Sequence, residues 1–340
     1  MSPEVTAAMI AAGVSALTLI GTQVAQHASR RDTRKALEEQ RKQLDKTLEE
    51  QRTRTLNERF ATAAEQLGSD KPAVRLAGVY AMAGLADDWK EHRQTCVNVL
   101  CAYLRMPYEP DPGQDADEPQ GLAFQASREV RHTVIGVIAA HLRDAHLRED
   151  AVPSWQRLTF DFTGVVFDGG NFDYAQFSGV SFDRAQFSAG IVSFSCAQFT
   201  GGLVDFSGAR FSGGTVDFSE AQFSGGLVDF CGARFSGGRV GFSDAQFSGG
   251  TVSFKGAQFS GGTVDFSEAQ FSGGLVDFSG ARFSGGTVDF SGAGFSGGVV
   301  DFSDADDWSF APTFPLTGTR TPPPGALLPR EEDPPPWTSI

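Results

Sequence analysis

The sequence predicts a mixed, mainly β chain: a four-sided β-helix preceded by an α-helical spacer and a transmembrane helix. Three observations predict this order. Phe recurs at short, regular intervals between residues 162 and 302, residues 28–150 have apolar positions at helical spacing, and residues 5–26 contain no charge. The composition agrees, because 30 of the 340 residues are Phe and 40 are Gly, a bias expected when one structural position is repeated many times.

Charge and cysteine content exclude two classes of protein. The formal net charge is −14, from 28 basic and 42 acidic residues, and a protein that binds nucleic acid non-specifically needs a basic face. Direct nucleic-acid binding is therefore not expected. Four Cys in the whole chain are too few for a disulfide-stabilised scaffold.

The first element is an uncharged run over residues 5–26. A helix of about 20 apolar residues spans the hydrocarbon core of a bilayer, and basic residues beside a span remain in the cytoplasm. We therefore expect residues 1–27 to form a single-pass helix in the cell membrane, with the bulk of the chain in the cytoplasm. The alternative is a soluble helix that is buried or self-associates. The basic residues that follow the run are Arg30, Arg31, Arg34 and Lys35.

Residues 28–57 are predicted to form one long charged helix. Within it, Leu-Glu-Glu-Gln-Arg occurs twice, beginning at Leu37 and again 11 residues later at Leu48. An 11-residue repeat gives a nearly straight or slightly right-handed coiled coil. The apolar stripe is thin, so a solvated charged helix and a coiled coil both fit. If the coiled coil forms, residues 36–57 are the site of homo-oligomerisation. The stripe consists of Leu37, Leu44, Leu48 and Thr55.

The region between this helix and the repeats is predicted to be helical with one interruption. Residues 58–106 have apolar residues at helical spacing and are expected to form helical hairpins. Residues 107–127 are acidic and contain Pro, which favours an exposed linker. Residues 128–150 are expected to form a further helix, with a solvated His141 near its end.

Three stretches of the helical region resemble a known family. They read Glu58-Arg-Phe-Ala-Thr-Ala-Ala-Glu-Gln-Leu-Gly-Ser-Asp-Lys, Val74-Arg-Leu-Ala-Gly-Val-Tyr-Ala-Met and Val130-Arg-His-Thr-Val-Ile-Gly. They are similar to the helical segment of bacterial membrane-anchored pentapeptide-repeat proteins. The resemblance covers residues 1 to about 305 and implies a membrane helix, a helical spacer and a right-handed quadrilateral β-helix. It implies an architecture only, because the family has no uniform biochemical function.

The Phe pattern predicts the β-helix independently of that resemblance. Twenty-five Phe lie on one ladder, first five residues apart and then alternately seven and five apart. The residue two before each Phe is mostly Val or Ala, so both positions are expected to point inward, with Ser and Gly at the corners. Neither a helical nor a strand period explains this spacing, whereas a solenoid does. The ladder consists of Phe162, Phe167, Phe172, Phe177, Phe182, Phe187, Phe194, Phe199, Phe206, Phe211, Phe218, Phe223, Phe230, Phe235, Phe242, Phe247, Phe254, Phe259, Phe266, Phe271, Phe278, Phe283, Phe290, Phe295 and Phe302.

The two extra residues in alternate intervals enlarge the coil. They coincide with Gly-Gly pairs, which supply unusual backbone dihedrals. Four sides then require about 24 residues, a period within the range of solenoid repeats. The same period appears in Gly208, Gly232, Gly256 and Gly280, and it fits either a coil or a duplication unit of that length. We expect about six coils over residues 156–304, followed by a Pro-rich, disordered tail over residues 305–340.

The outward positions of the repeats are the candidate interaction surface. Asp precedes many ladder Phe, and stacked coils are expected to place alternate members in two acidic columns. Some pentapeptide-repeat proteins resemble duplex DNA and inhibit type II topoisomerases, which the columns permit. The alternative is a solvated surface that keeps the rod soluble, with Arg side chains offsetting the acids. The candidate residues are Asp205, Asp217, Asp229, Asp265, Asp277, Asp289, Arg210, Arg234 and Arg282.

The sequence contains no convincing catalytic, cofactor or metal motif. All five His precede the repeats, and the Gly-Gly pairs lack the Lys and Ser/Thr of a phosphate-binding loop. Cys96 and Cys101 are five apart, so buried apolar thiols are expected. The sequence therefore predicts a non-enzymatic, membrane-anchored structural or interaction protein, whose protein partner it does not identify. The alternative is an acidic DNA mimic that inhibits a topoisomerase.

Overall fold

The computed structural model describes residues 3–108, 111–113, 117–143, 154–314 and 323–329; for residues 3–30 and 32 only the backbone is described. The chain forms two compact units, residues 1–59 and residues 60–340.

The long helix α1 extends over Pro3–Leu67. The three Leu of its apolar stripe are 54–59 % exposed, and self-association through residues 36–57 stays a prediction. Among the helices of the described part, none combines the length and apolarity required to cross a membrane. The predicted span, residues 5–26, lies where side chains are not described. The exposed leucines are Leu37, Leu44 and Leu48.

Three further helices form a small bundle in the second unit: α2 (Pro72–Asp88), α3 (Arg93–Arg105) and α4 (Glu118–Leu142), with a short 3-10 turn over Lys90–His92. Each helix contributes side chains that are fully or almost fully buried, so the bundle has an apolar core. Most of residues 58–106 are helical. The core includes Val79, Met82, Leu85, Val97, Leu100, Val130, Val134 and Ile138.

Helix α4 corrects the predicted linker over residues 107–127. It begins at Glu118, because the Asp117 carboxylate accepts a hydrogen bond from the Gln120 amide at 2.9 Å and Pro119 occupies the first turn. Acidic residues and Pro are favoured at helix starts, so the same composition that indicated a linker begins a helix. The helix ends at Leu142 rather than at residue 150, and residues 144–153 lie outside the described part.

The remaining chain is a β-solenoid with four faces, and every pairing between its strands is parallel. The first face contains β1 (Phe160–Asp161), β5 (Val180–Ser181), β9 (Leu203–Asp205), β13 (Leu227–Asp229), β16 (Thr251–Ser253), β19 (Leu275–Asp277), β22 (Val299–Asp301) and β23 (Ala326–Leu327). The fourth contains β4 (Gln176–Phe177), β8 (Gln198–Phe199), β12 (Gln222–Phe223), β15 (Gln246–Phe247), β18 (Gln270–Phe271) and β21 (Gly294–Phe295).

The second and third faces belong to one continuous sheet. The second contains β2 (Val166–Phe167), β6 (Gln186–Phe187) and β10 (Arg210–Phe211), and the third contains β3 (Gly170–Asn171), β7 (Ile191–Ser193) and β11 (Thr215–Asp217). Three longer strands run through both faces, with register shifts where they turn the corner. They are β14 (Arg234–Gly241), β17 (Gln258–Asp265) and β20 (Arg282–Asp289).

The strand register shows how the coil grows along the rod. Three successive pairs join neighbouring coils, and each pair is two positions farther apart in sequence than the one before. The reason is that a side lengthens by two where it acquires an enlarged corner, first at Ala189-Gly190 and then at Gly201-Gly202. The largest separation, 24 residues, then persists through most of the rod, as between Ser243 and Ser267 on neighbouring coils. The predicted period is therefore the length of one coil and not only a duplication unit. The successive pairs are Phe167–Phe187, Phe177–Phe199 and Val180–Val204.

Glycine at the enlarged corners is required by dihedral angle and by space. Gly226 has φ +72°, and a Cβ there would lie 2.3 Å from the carbonyl oxygen of Gly202 on the preceding coil. Successive corners therefore stack backbone on backbone, and no side chain fits between them.

The Phe ladder fills the interior of the solenoid. Twenty-four of the 25 rings are buried, and only Phe295 is half-buried. Rings one coil apart are parallel, as in Phe206 and Phe230 with centroids 4.7 Å apart, which matches the spacing of hydrogen-bonded strands. Rings on opposite sides of a coil meet edge to face, as in Phe206 and Phe218 at 84°. Both arrangements are favourable for aromatic pairs.

Part of the segment predicted as a disordered tail continues the solenoid and covers its last complete coil. Within residues 305–340, strand β23 pairs with β22 through Ala326 and Val300, and the Phe314 ring stacks on Phe290 at 5.3 Å. Trp308 meets the last ladder ring edge to face. The Pro content hid these aromatic residues, which cover the rings of the final coil. Residues 315–322 and 330–340 lie outside the described part.

Phe230→Ala should lower the free energy of unfolding by about 3–5 kcal/mol, the usual cost of removing a buried aromatic ring. Phe230 is fully buried and has stacked neighbours on both adjacent coils, so the resulting cavity cannot collapse. Urea denaturation followed by circular dichroism measures the loss.

Leu227→Ala is the matched control, because Leu227 begins the same turn of chain but is only half-buried. Its substitution should cost less than about 1 kcal/mol. Equal losses for the two variants would show that the ring stack does not dominate stability.

Candidate functional site

The predicted acidic columns exist, and alternate Asp residues stand on different faces. Strand pairing aligns Asp205 with Asp229, and places Asp277 in the same column on the first face. Asp265 and Asp289 pair on the third face. Other residues interrupt each column. The third-face column starts at Asp217, with Gly241 as the next position, and Ser253 occupies the first-face column.

These Asp side chains also hold the corners of the coil. Each accepts a hydrogen bond from the backbone amide two residues on, at 2.8–2.9 Å, in an Asx-turn that sets the chain direction. Each Asp therefore has a structural role, and all except the buried Asp265 are also partly accessible. The donors are the amides of Ser207, Ser219, Cys231, Ser267, Ser279 and Ser291, for Asp205, Asp217, Asp229, Asp265, Asp277 and Asp289 in that order.

Asp265 is the most enclosed member of the columns, at 8 % exposure. Burial raises its pKa, but hydrogen bonds from Ser267 and the positive charge of Arg239 outweigh this and lower the pKa. Arg239 forms an ion pair with the Asp265 carboxylate. The third-face column therefore has less uncompensated charge than its sequence suggests.

The predicted Arg residues lie apart from the acidic columns, on the second face. Arg210 pairs with Arg234 on the next coil, and Gln258 separates Arg234 from Arg282. All three Arg are exposed. Only Arg282 has an ion pair, to Asp306 at 3.4 Å, among the described residues. Strand register places these Arg on a different face from the Asp columns, so the offset of an acidic neighbour is seen, among the described residues, for Arg282 with Asp306.

A column that sequence reasoning did not identify as a surface occupies the corner between the third and fourth faces. Its residues have φ of 56–60°, the left-handed region in which non-Gly residues are uncommon. The equivalent corner between the first and second faces uses Gly in most coils. The recurrence of acids at this corner, once per coil, was the available signal. The column consists of Tyr174, Cys196, Glu220, Asp244 and Glu268.

A groove of about 660 Å³ runs beside this column. Its floor is a ladder of Gln side chains on the fourth face, one per coil, in which neighbours pair by strand register. The groove is therefore a polar surface with carboxylates along one edge. The ladder consists of Gln198, Gln222, Gln246 and Gln270.

A second polar cluster joins the helices to the first coil at Asp168. Its carboxylate accepts hydrogen bonds from the Tyr108 hydroxyl at 2.7 Å and from Arg128 Nε at 3.0 Å, and lies 2.9 Å from His132 Nε2. Burial raises the pKa of Asp168, but hydrogen bonds from His132 and Tyr108, and then nearby positive charge, lower it to about 2. A cavity of about 750 Å³ borders the cluster.

Arg131 completes this junction between helices and solenoid. It is 4 % exposed and donates to the carbonyl oxygens of Leu104 at 2.8 Å and Val166 at 2.9 Å. Its guanidinium lies 4.2 Å from the centre of the Tyr108 ring. Helices α3 and α4 therefore pack directly against the first coil as a cap, with α2 packed on both of them, whereas the sequence indicated a spacer. Terminal caps of this kind protect the apolar end of a repeat array.

Other candidate groups have structural roles. Cys96 and Cys101 are buried as predicted, and desolvation raises the pKa of each thiol to about 11. His141 is 7 % exposed and stacks on Trp155 at 3.8 Å, so its predicted solvation is wrong. In the part of the chain that the structure describes, no group of three or more His, Cys, Asp or Glu is placed to hold a metal ion.

Comparison with protein families agrees with the solenoid geometry. Residues 161–189 match a model described as pentapeptide repeats (8 copies), and residues 194–246, 237–282 and 261–306 match one described as pentapeptide repeats (9 copies). Residues 161–189 and 194–306 therefore consist of pentapeptide repeats. A search of curated proteins gave no match. The matches cover the repeats, so the resemblance of the helical region and its bacterial membrane-anchored character stay predictions.

DNA mimicry by the pentapeptide-repeat solenoid also stays a prediction. Both acidic columns are present, which the alternative requires. However, Gly and Ser interrupt the columns, Arg239 neutralises Asp265, and the corner hydrogen bonds provide a structural reason for each Asp.

Asp168→Asn should lower the free energy of unfolding by about 1–3 kcal/mol at pH 7, because a buried hydrogen-bonded charge is lost. The folded-state pKa of about 2 lies below the unfolded value of about 3.9. The ionised Asp168 therefore stabilises the fold above about pH 4, and this contribution disappears as the pH falls through about 2. Denaturation followed by tryptophan fluorescence between pH 2 and pH 7 measures it.

Asp183→Asn is the matched control, since Asp183 pairs with the exposed Arg184 on the surface. That change should cost less than about 0.5 kcal/mol. A constant difference between wild type and Asp168→Asn down to pH 2 would contradict the role given to the charge.

Proposed function

We propose that this chain is a non-enzymatic interaction protein, in which the pentapeptide-repeat solenoid is a rigid scaffold for docking a protein partner. The observation that supports this is that the interior of the solenoid is apolar while its outer surface is polar and regularly spaced. The interior is filled by stacked Phe rings, while the outside presents polar side chains in columns with one member per coil. Such a surface is held in place by the backbone ladder and needs little ordering when a partner binds.

The caps at both ends support the same function. The helices cover the first coil through Arg131 and Asp168, and Phe314 covers the last coil. With its ends covered, the solenoid exposes its sides rather than an apolar coil end, as expected of a repeat protein that binds laterally.

Location at the cell membrane is part of the proposal. The uncharged residues 5–26 are long enough to span a bilayer, and the basic residues after them favour a cytoplasmic position for the rest of the chain. The solenoid would then be displayed in the cytoplasm at the membrane. Self-association through residues 36–57 would present several solenoids together and increase avidity for a partner.

Asp→Asn substitution separates the structural role of each column Asp, its corner hydrogen bond, from the proposed binding role of its charge. Asn removes the charge but keeps an oxygen that accepts the corner hydrogen bond, so stability should change little on the first face and fall on the third, where Asp265 also loses its ion pair with Arg239. We expect the triple variant Asp205→Asn, Asp229→Asn, Asp277→Asn, or its counterpart on the third face, to lose about tenfold or more of captured partner. Full-length protein immobilised in detergent, with bound proteins quantified by mass spectrometry, measures this.

The third-face counterpart substitutes Asp217, Asp265 and Asp289, and each triple variant is the control for the other. Alanine at the first-face positions should destabilise the coil by about 1 kcal/mol per lost hydrogen bond. Unchanged capture by both Asn variants would exclude the acidic columns as the docking surface.

Ala16→Arg tests the membrane anchor. A charge in the middle of a transmembrane helix costs about 2.5–3.5 kcal/mol on insertion, so the variant should move from the carbonate-resistant membrane fraction to the soluble fraction. Gln40→Arg, beyond the uncharged run, is the matched control and should stay with wild type. Wild-type protein found entirely in the soluble fraction would exclude the anchor while leaving the scaffold function open.

A further inference from the structure

Two faces of the solenoid have complementary charge at the same spacing. The second face presents Arg210, Arg234, Gln258 and Arg282, one per coil. The corner beside the fourth face presents Glu220, Asp244 and Glu268, also one per coil. Each acid follows a second-face residue by 10 positions, so the two columns occupy the same coils on opposite sides of the rod.

The basic column is free to bind. Arg210 and Arg234 are exposed, and the structure gives neither an ion pair among the described residues. The corner beside them is Gly in most coils, as at Gly208 and Gly232, so no side chain screens the guanidinium groups from a flat partner. Like charges one coil apart, about 4.8 Å, repel each other, and an opposing acidic column would relieve this.

The acidic column is similarly free. Asp244 and Glu268 are exposed, and neither carboxylate has an ion pair in the described part of the chain. Among the described residues, the Glu220 carboxylate is given one long contact, 3.8 Å from the Cys196 thiol. The adjacent Gln222 and Gln246 add amide donors and acceptors at the same spacing.

We propose that the solenoid associates side by side with a second copy of itself, the second face of one rod against the fourth face of the next. In parallel orientation, Arg210 meets Glu220 and Arg234 meets Asp244, because one coil rise separates successive members in both columns. Charge and spacing are both matched by the same chain, which favours a second copy over an unrelated basic peptide.

The interface joins two different faces, so it does not close on itself as a two-fold dimer does. Each rod keeps one free second face and one free fourth face, and rows longer than two rods are expected at high concentration. Two identical second faces would bring Arg against Arg and repel. The inference does not depend on the membrane anchor, but an anchor would align rods in the parallel orientation.

Charge reversal of each face tests the inference. Arg210→Glu with Arg234→Glu makes the second face acidic, and Glu220→Lys with Asp244→Lys makes the corner basic. Each variant alone should associate about tenfold or more weakly than wild type, since attraction is replaced by repulsion. An equimolar mixture should associate again, because every contact in an alternating row is then complementary.

The measurement is sedimentation velocity of the full chain, in detergent where residues 5–26 require it, at about 20 mM and about 300 mM salt. Association through residues 36–57 is common to all variants, so the signal is the salt-sensitive increase in mass above that common oligomer. Salt should weaken the wild-type contact because exposed charges are screened.

Lys71→Glu with Lys90→Glu is the matched control. It changes net charge as much as the second-face variant does, but lies in the exposed surface of the helical cap; it should associate like wild type. Gln258→Arg should strengthen association, since it adds a cation opposite Glu268. Reversal variants that sediment like wild type, or a mixture that does not recover association, would overturn the proposal.

Discussion

The stacking of Phe rings at the spacing of neighbouring β-strands is the constraint on which the rest of this structure depends. The centroids of coil-related rings are 4.7–4.9 Å apart through most of the rod, the distance that hydrogen-bonded strands impose. Backbone pairing and side-chain packing therefore require the same axial rise. A residue smaller than Phe would leave a void along the axis, and voids in a packed core are costly.

Much of the fold is predictable from the sequence because one interaction is repeated. Ring positions and inward Val and Ala follow from spacing alone, whereas the strand register was needed to show that the period is the length of one coil. The caps do not, since their contacts join distant residues: Tyr108 and Asp168 are separated by 60 positions. Pro119 indicated a linker and begins a helix instead, and Pro-rich surroundings concealed Phe314. Local composition cannot reveal a partner that only the folded chain brings near.

The candidate surfaces likewise include some that the sequence predicts and one that it does not. Strand register could be inferred from the repeat, so the two Asp columns stand where the sequence placed them. The acidic corner was not recognised as a surface, because the regular recurrence of Glu220, Asp244 and Glu268 in the sequence does not show which backbone conformation they adopt. Only the structure shows that they share a left-handed backbone conformation. This conformation costs free energy for a residue with a side chain, and Gly in its place would avoid that cost. A surface maintained at such a cost is consistent with an interaction role.

The enlargement of the coil by its Gly-Gly corners has a consequence for how this gene can change. Whole coils can be gained or lost by recombination between repeats, since a step of one full coil returns every column to its face and leaves both caps seated. Recombination between similar half-coils could equally insert or delete half a coil. That change would rotate all later residues by two faces. Phe314 and Trp308 would then meet the wrong side of the last coil. Rod length in relatives should therefore vary in full coils.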